Sequence, residues 1–137
     1  LGTRVLAPKS RYGEVVDALT AFAGSMAVGD SLDPATQIGP MATQTHLGRV
    51  EGYIEAGKKA GATAALESER PEGLDAGYFL TPTIFTGVEA SHRIARDEVF
   101  GPVLSVLTFR TPAEAIATSV PAPIAIPTSA CAERARR

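Results

Sequence analysis

Segments with a helical spacing of apolar residues alternate along this chain with apolar runs too short to be helices. Val15, Val16, Leu19, Phe22, Ala23 and Met26 recur at the helical period, and Leu47, Val50 and Ile54, with Tyr53 beside them, do so again. Between and around them lie brief runs at residues 3–7, 62–67, 78–86 and 103–109. This alternation predicts an α/β fold built from parallel crossover units. Strands are expected near 3–7, 62–67, 78–86 and 103–109, with helices near 11–26, 43–60 and 112–117. Local chemistry marks several of the ends. Ser10 can cap the first helix and Thr43 the second, and Gly61 is a natural C-terminal stop. Thr111, Pro112 and Glu114 form a cap, a first-position proline and a first-turn acid. Pro82 cannot donate to a ladder, so the run at 78–86 is expected at an edge or a bulge.

A chain of 137 residues fits one domain, able to bury about two-thirds of its unfolded surface. Hydrophobic residues at 45% and charged residues at 20% place it among globular proteins. The net charge of −2 and the lack of a compact basic face point away from nucleic acid. No apolar run approaches a membrane span and no signal peptide opens the chain, so a cytoplasmic setting without membrane contact is expected. Its single cysteine, Cys131, rules out an internal disulfide framework and a cysteine-rich metal site.

Chemistry concentrates at Ala95-Arg96-Asp97-Glu98-Val99-Phe100-Gly101-Pro102-Val103. Gly101-Pro102 is a breaker pair that launches the strongest strand. Glu98 and Phe100 place an acceptor and an aromatic ring at its mouth, and ligands in α/β sheets gather at strand ends. A carboxylate there can accept from two sugar hydroxyls, and a ring can lie against a flat heterocycle. The same spacing also fits a plain turn with a solvated Glu and a core Phe. Arg93 or Arg96 can pair with Asp97. The loop at residues 28–40 is long enough to be functional, and Gln37 with Gly39-Pro40 can approach a dinucleotide. His46 and Arg49 are read as residues on the flank of the second helix.

The segment Glu98-Val99-Phe100-Gly101-Pro102-Val103 resembles the Glu-(Ile/Val)-Phe-Gly-Pro-Val motif of the NAD(P)-dependent aldehyde dehydrogenases. Three further blocks resemble the same family in order and spacing: Thr3-Arg4-Val5-Leu6, Val28-Gly29-Asp30-Ser31-Leu32-Asp33-Pro34-Ala35-Thr36-Gln37-Ile38-Gly39-Pro40, and Gly77-Tyr78-Phe79-Leu80-Thr81-Pro82-Thr83-Ile84-Phe85. The resemblance implies an α/β piece of the family's catalytic domain over residues 1–117, a mostly parallel sheet with flanking helices. It also implies NAD or NADP as cofactor, a small-molecule aldehyde as substrate and oxidation to a carboxylic acid. In the family the motif Glu binds the nicotinamide ribose and the Phe packs beside the nicotinamide. Glu98 and Phe100 are therefore the expected cofactor-binding residues.

The resemblance places the family's nucleophilic cysteine a couple of residues before Leu1, so none of these residues is expected to be catalytic. Cys131 is no substitute, because no base or helix terminus is identifiable beside it. The chain also lacks a Gly-rich phosphate loop after a strand. These residues alone are expected to be inactive. The alternative reading is a non-catalytic remnant or interaction module that self-associates or pairs with a full-length relative. From about residue 118 the pattern changes. Val120-Pro121-Ala122-Pro123-Ile124-Ala125-Ile126-Pro127 cannot continue a helix, and a short basic end follows. Residues 118–137 are expected to be an irregular tail, out of register with the family as after a frameshift.

Overall fold

The computed structural model describes residues 3–74 and 76–119. Four strands form one sheet: β1 (Arg4–Pro8), β2 (Thr63–Leu66), β3 (Thr83–Thr86) and β4 (Val103–Phe109). The helices are α1 (Tyr12–Gly24), α2 (Gln44–Lys59), the single turn α3 (Arg93–Arg96) and α4 (Pro112–Ser119). The spatial order is β1-β4-β3-β2. β1 and β3 both run parallel to β4, with Arg4 opposite Ser105 and Thr83 opposite Val103. β2 joins β3 antiparallel, with a register shift between Ala64 and Leu66. The sheet is thus mostly parallel, as expected, with one antiparallel edge.

Period-two alternation sorts the strand side chains between two layers. Val103 and Leu107 of β4, Phe85 of β3 and Leu6 of β1 face α2 and α3, where Leu47, Val50, Ile54 and Ile94 meet them. Val106, Ile84 and Ala7 face the other way, toward Val15, Val16, Leu19 and Ala23 of α1. Ser105 lies on the α2 side and its hydroxyl donates to the Ile94 carbonyl at 3.0 Å. That bond ties the one-turn α3 to the middle of the sheet. Thr83 alternates onto the same side, but its Oγ1 is buried without a hydrogen-bond partner.

α2 begins and ends where its sequence says. The His46 backbone N–H donates to Thr43 Oγ1 at 3.1 Å, closing the N-cap. At the other end Ala62 N–H reaches the Gly57 carbonyl and Gly61 N–H the Lys58 carbonyl, each at 3.1 Å, with Gly61 at φ +93. This paired arrangement consumes two carbonyls that the helix end would leave open, and its positive φ favours glycine. α4 also starts as expected, with Glu114 N–H donating to Thr111 Oγ1 and Arg110 N–H to the Glu114 carboxylate.

Several expectations are corrected. Ser10 does not cap α1: it lies in a turn of 3-10 helix at Lys9–Arg11, and the N-cap position falls to Arg11 with no side-chain bond. Tyr12 anchors the helix instead, its hydroxyl donating to the Val106 carbonyl at 3.2 Å and accepting from Gly87 N–H. Phe22 is 65% exposed and so does not join the core face of α1. The run at 78–86 is a strand only over Thr83–Thr86. Residues 78–81 belong to no strand and are tied instead through the Tyr78 carbonyl to Met41 N–H and through Thr81 N–H to the Glu69 carbonyl. Pro82 therefore stands just ahead of a strand that lies inside the sheet, between β4 and β2, and marks neither an edge nor a bulge of its own. α4 continues through residues 118 and 119; the rest of the expected tail lies outside the described residues.

Candidate functional site

Residues 97–102 form the loop that delivers the chain into β4, and its backbone conformation is unusual. Phe100 has φ +54, the sole positive φ at a non-glycine position among the described residues. Such a conformation crowds Cβ against the carbonyl and costs about 1–2 kcal/mol. Val99 is 1% exposed and packs into the core, while Phe100 is 58% exposed. Glu98, on the preceding residue, is also exposed. Glu98 and Phe100 are thus both exposed on the loop that leads into β4.

The loop can hold that shape because it is seized from both sides. Gly101 lies so close to α2 that a Cβ there would meet Val50 Cγ2 at 2.6 Å and Cγ1 at 2.9 Å. Pro102 offers its carbonyl to Thr83 N–H at 2.8 Å, fixing the strand register. From above, a flank of α2 captures successive loop residues. The Arg49 guanidinium donates to the Val99 carbonyl at 2.7 Å. His46 Nε2 lies in hydrogen-bond contact with the Phe100 carbonyl. The Tyr53 hydroxyl donates to the Asp97 carboxylate at 3.1 Å, and Arg93 reaches the same oxygen at 3.3 Å. A bond from a charged donor contributes about 1.5–3 kcal/mol, comparable with the strain at Phe100.

Electrostatics knit the cluster further. The Arg49 guanidinium sits 5.6 Å from the Phe100 ring centroid and 6.0 Å from that of Tyr53, and Arg93 sits 4.8 Å from Tyr53. The hydrogen bond to Asp97, seconded by Tyr53, raises Arg93 above its ordinary range, so it stays charged at every accessible pH.

The other expected residues are placed differently. Gln37 serves its own loop: its side-chain carbonyl accepts from Ala27 N–H at 3.0 Å, and its backbone N–H returns to the Ala27 carbonyl. Pro40 lines an open cleft of about 400 Å³ with Asp30, Ser31, Met41, Tyr78 and Phe79, apart from Glu98 and Phe100. Cys131 lies outside the described residues. Of the two arginines expected near Asp97, Arg93 makes the pair. His46 and Arg49, read as mere flank in the sequence, turn out to contact the motif directly. Their i, i+3 spacing, continued at Tyr53, was the available signal. Among the described residues no group of three or more His, Cys, Asp or Glu is placed to hold a metal, and no helix is long and apolar enough to cross a membrane.

The aldehyde dehydrogenase family model matches residues 1–125. The chain belongs to the aldehyde dehydrogenase family. A geranial dehydrogenase of Castellaniella defragrans is 44% identical over 114 residues, covering 83% of this chain and 23% of that protein. A betaine aldehyde dehydrogenase of Brucella anthropi is 45% identical over 118 residues, covering 85% and 24%. Among solved structures, the Mycobacterium tuberculosis aldehyde dehydrogenase complexed with NAD+ superposes with a TM-score of 0.81 at 47% identity, over 85% of this chain and 24% of that one. The chain therefore spans about a quarter of the length of the aldehyde dehydrogenases it matches. Its sheet and helices are one part of that fold.

Proposed function

We propose that residues 97–102 form the nicotinamide-riboside edge of an NAD(P)-dependent aldehyde dehydrogenase that oxidises a small-molecule aldehyde to a carboxylic acid. The reading rests on one observation above the others: the left-handed backbone at Phe100, an exposed aromatic residue two positions after the exposed Glu98. This pair of an acceptor and a ring suits the group. A carboxylate accepts from vicinal ribose hydroxyls, and an exposed ring gives a flat heterocycle a surface. NAD(P)+, when bound, supplies the hydride acceptor. Glu98 orients its ribose, and Phe100 restricts the angle of its ring and excludes water from one side. Neither residue carries a proton in the reaction. The nucleophilic cysteine and the dinucleotide's remaining contacts belong, by the family resemblance, to segments beyond these residues, and a cytoplasmic setting accords with that reading. The similar Mycobacterium tuberculosis enzyme was solved as a complex with NAD+, which supports NAD as one cofactor.

The test carries residues 3–119 into the matching portion of that Mycobacterium tuberculosis enzyme and changes Glu98→Gln. Hydride transfer followed in a single turnover should slow by about tenfold, since misoriented reactants lose much of their proximity advantage. Labelling of the enzyme's cysteine by a thiol reagent should be unchanged. A full hydride-transfer rate in the Gln variant would remove Glu98 from the ribose.

A second reading has its own support. β1 and β2 are the outer strands of the sheet, each with a partner on one side among the described residues. Open edges template strand addition, which suits self-association or pairing of these residues with a full-length relative. Sedimentation of the 137-residue chain, alone and mixed with the relative, decides it; a lone monomer in both cases removes this reading.

A further inference from the structure

His46, Arg49 and Tyr53 follow one another at i, i+3 and i+7 along α2, so they share a single flank of the helix. That flank overlies the motif loop in register. Tyr53 holds Asp97, Arg49 holds the carbonyl of Val99 and His46 holds the carbonyl of Phe100. The two carbonyls bracket the strained residue, one preceding its φ rotation and one following it. Rotating Phe100 back to an ordinary negative φ would swing the peptide between Val99 and Phe100, pulling the Val99 oxygen off the guanidinium. It would also carry the ring away from the Arg49 guanidinium, which lies over it at 5.6 Å from the centroid.

We infer that Arg49 and His46 are positioning residues, which lock Phe100 in the left-handed conformation by capturing the carbonyls on either side of it. Only a donor can face a carbonyl oxygen, so His46 carries its proton on Nε2, and it donates in the neutral and the doubly protonated ring alike. Arg49 does two things that lysine cannot combine. Its guanidinium donates to the Val99 carbonyl while its delocalised charge lies over the ring of Phe100 at cation–π distance. The remaining side of the loop is closed by Val50 against Gly101, so the loop has no slack into which to relax. The effect of the pair on the cofactor rests on the roles given to Glu98 and Phe100 above; their hold on the backbone does not.

The backbone effect is read without cofactor, by NMR of the isotope-labelled 137-residue chain. A positive φ brings the amide proton of Phe100 close to its own Cα proton, so the NOE between them is strong. In Arg49→Met, which keeps the length of the side chain but loses its donors and charge, that NOE should fall by about threefold as the residue returns to negative φ. The Phe100 carbon shifts should move with it, while signals from Phe85 and Val106 stay in place. Arg49→Lys, which keeps one donor, should recover part of the NOE, and His46→Ala should lose less of it than Arg49→Met. An undiminished NOE in both Arg49→Met and a variant combining it with His46→Ala would overturn the proposal. So would displacement of the Phe85 and Val106 signals along with Phe100 in a variant that still folds, because that would make Arg49 a general prop of the fold. If Arg49→Met does not fold, His46→Ala and Arg49→Lys carry the same test. In the grafted enzyme, Arg49→Met should slow hydride transfer by about tenfold with NAD+ affinity changed far less. A displaced Phe100 with hydride transfer intact would support the positioning role and sink the cofactor role of the ring.

Discussion

Among the described residues the sheet closes against α2 and α3 over thirteen buried apolar residues, whereas against α1 the buried set is only Ala7, Ile84 and Val106. α1 itself buries no residue fully, and its Phe22 stands 65% exposed. The candidate site hangs entirely from the closed face. Val99 is rooted in that core, Gly101 abuts Val50, and the loop's carbonyls are held by α2. Accuracy at Glu98 and Phe100 is therefore inherited from dense packing, where a small displacement has nowhere to dissipate. The looser face can change without moving the site.

Truncating one side chain on each face gives the largest contrast. Phe85→Ala should cost about 3–5 kcal/mol, because Phe85 is completely buried and its cavity cannot collapse. Leu19→Ala on the half-buried side should cost about 1 kcal/mol, in line with the smaller area it removes from water. Denaturant unfolding of both variants measures this, and equal losses would erase the distinction. A smaller effect is expected from Gly101→Ala. The added methyl meets Val50, a buried β-branched residue on a helix with little rotamer freedom. About 1–3 kcal/mol of overpacking should appear as a lower unfolding midpoint, and an unchanged midpoint would mean that the loop has slack. The smallest effect should have the opposite sign. Thr83→Val replaces a buried hydroxyl that has no partner, and should raise stability by about 1 kcal/mol. A loss there would reveal a partner for the hydroxyl.

How far the sequence could be read depended on how local the cause was. The Thr43 cap, the Gly61 stop and the Thr111-Pro112-Glu114 opening are settled within a few residues, and each stands where expected. The apolar stripe of α2 was equally plain, since Leu47, Val50 and Ile54 are all buried. Ser10 misled because Tyr12 is fastened to the distant Val106, which fixes the start of α1 from outside. Pro82 misled because its meaning depends on strand order, and β4, inserted between β1 and β3, was not visible from spacing. The motif at 98–103 was recognisable as a string of residues, but the positive φ that turns Phe100 outward was not. The roles of His46 and Arg49 were hidden for the same reason: a helix flank looks like solvent until a loop about fifty residues away is laid across it.

The parallel pairing of β1 with β4 also sets an order of events. β3 and β4 join through Thr83 and Val103, a closure of about twenty residues, and local structure can bring them together early. β1 meets β4 through Arg4 and Ser105, a closure of about one hundred. The entropic penalty grows with the logarithm of loop length, so the longer closure costs about 1.4 kcal/mol more. On a ribosome the mismatch is sharper, because β1 is the first of the four strands to be synthesised and β4 the last of them. Arg4–Pro8 must wait, apolar and unpaired, while the strand it needs is still being made.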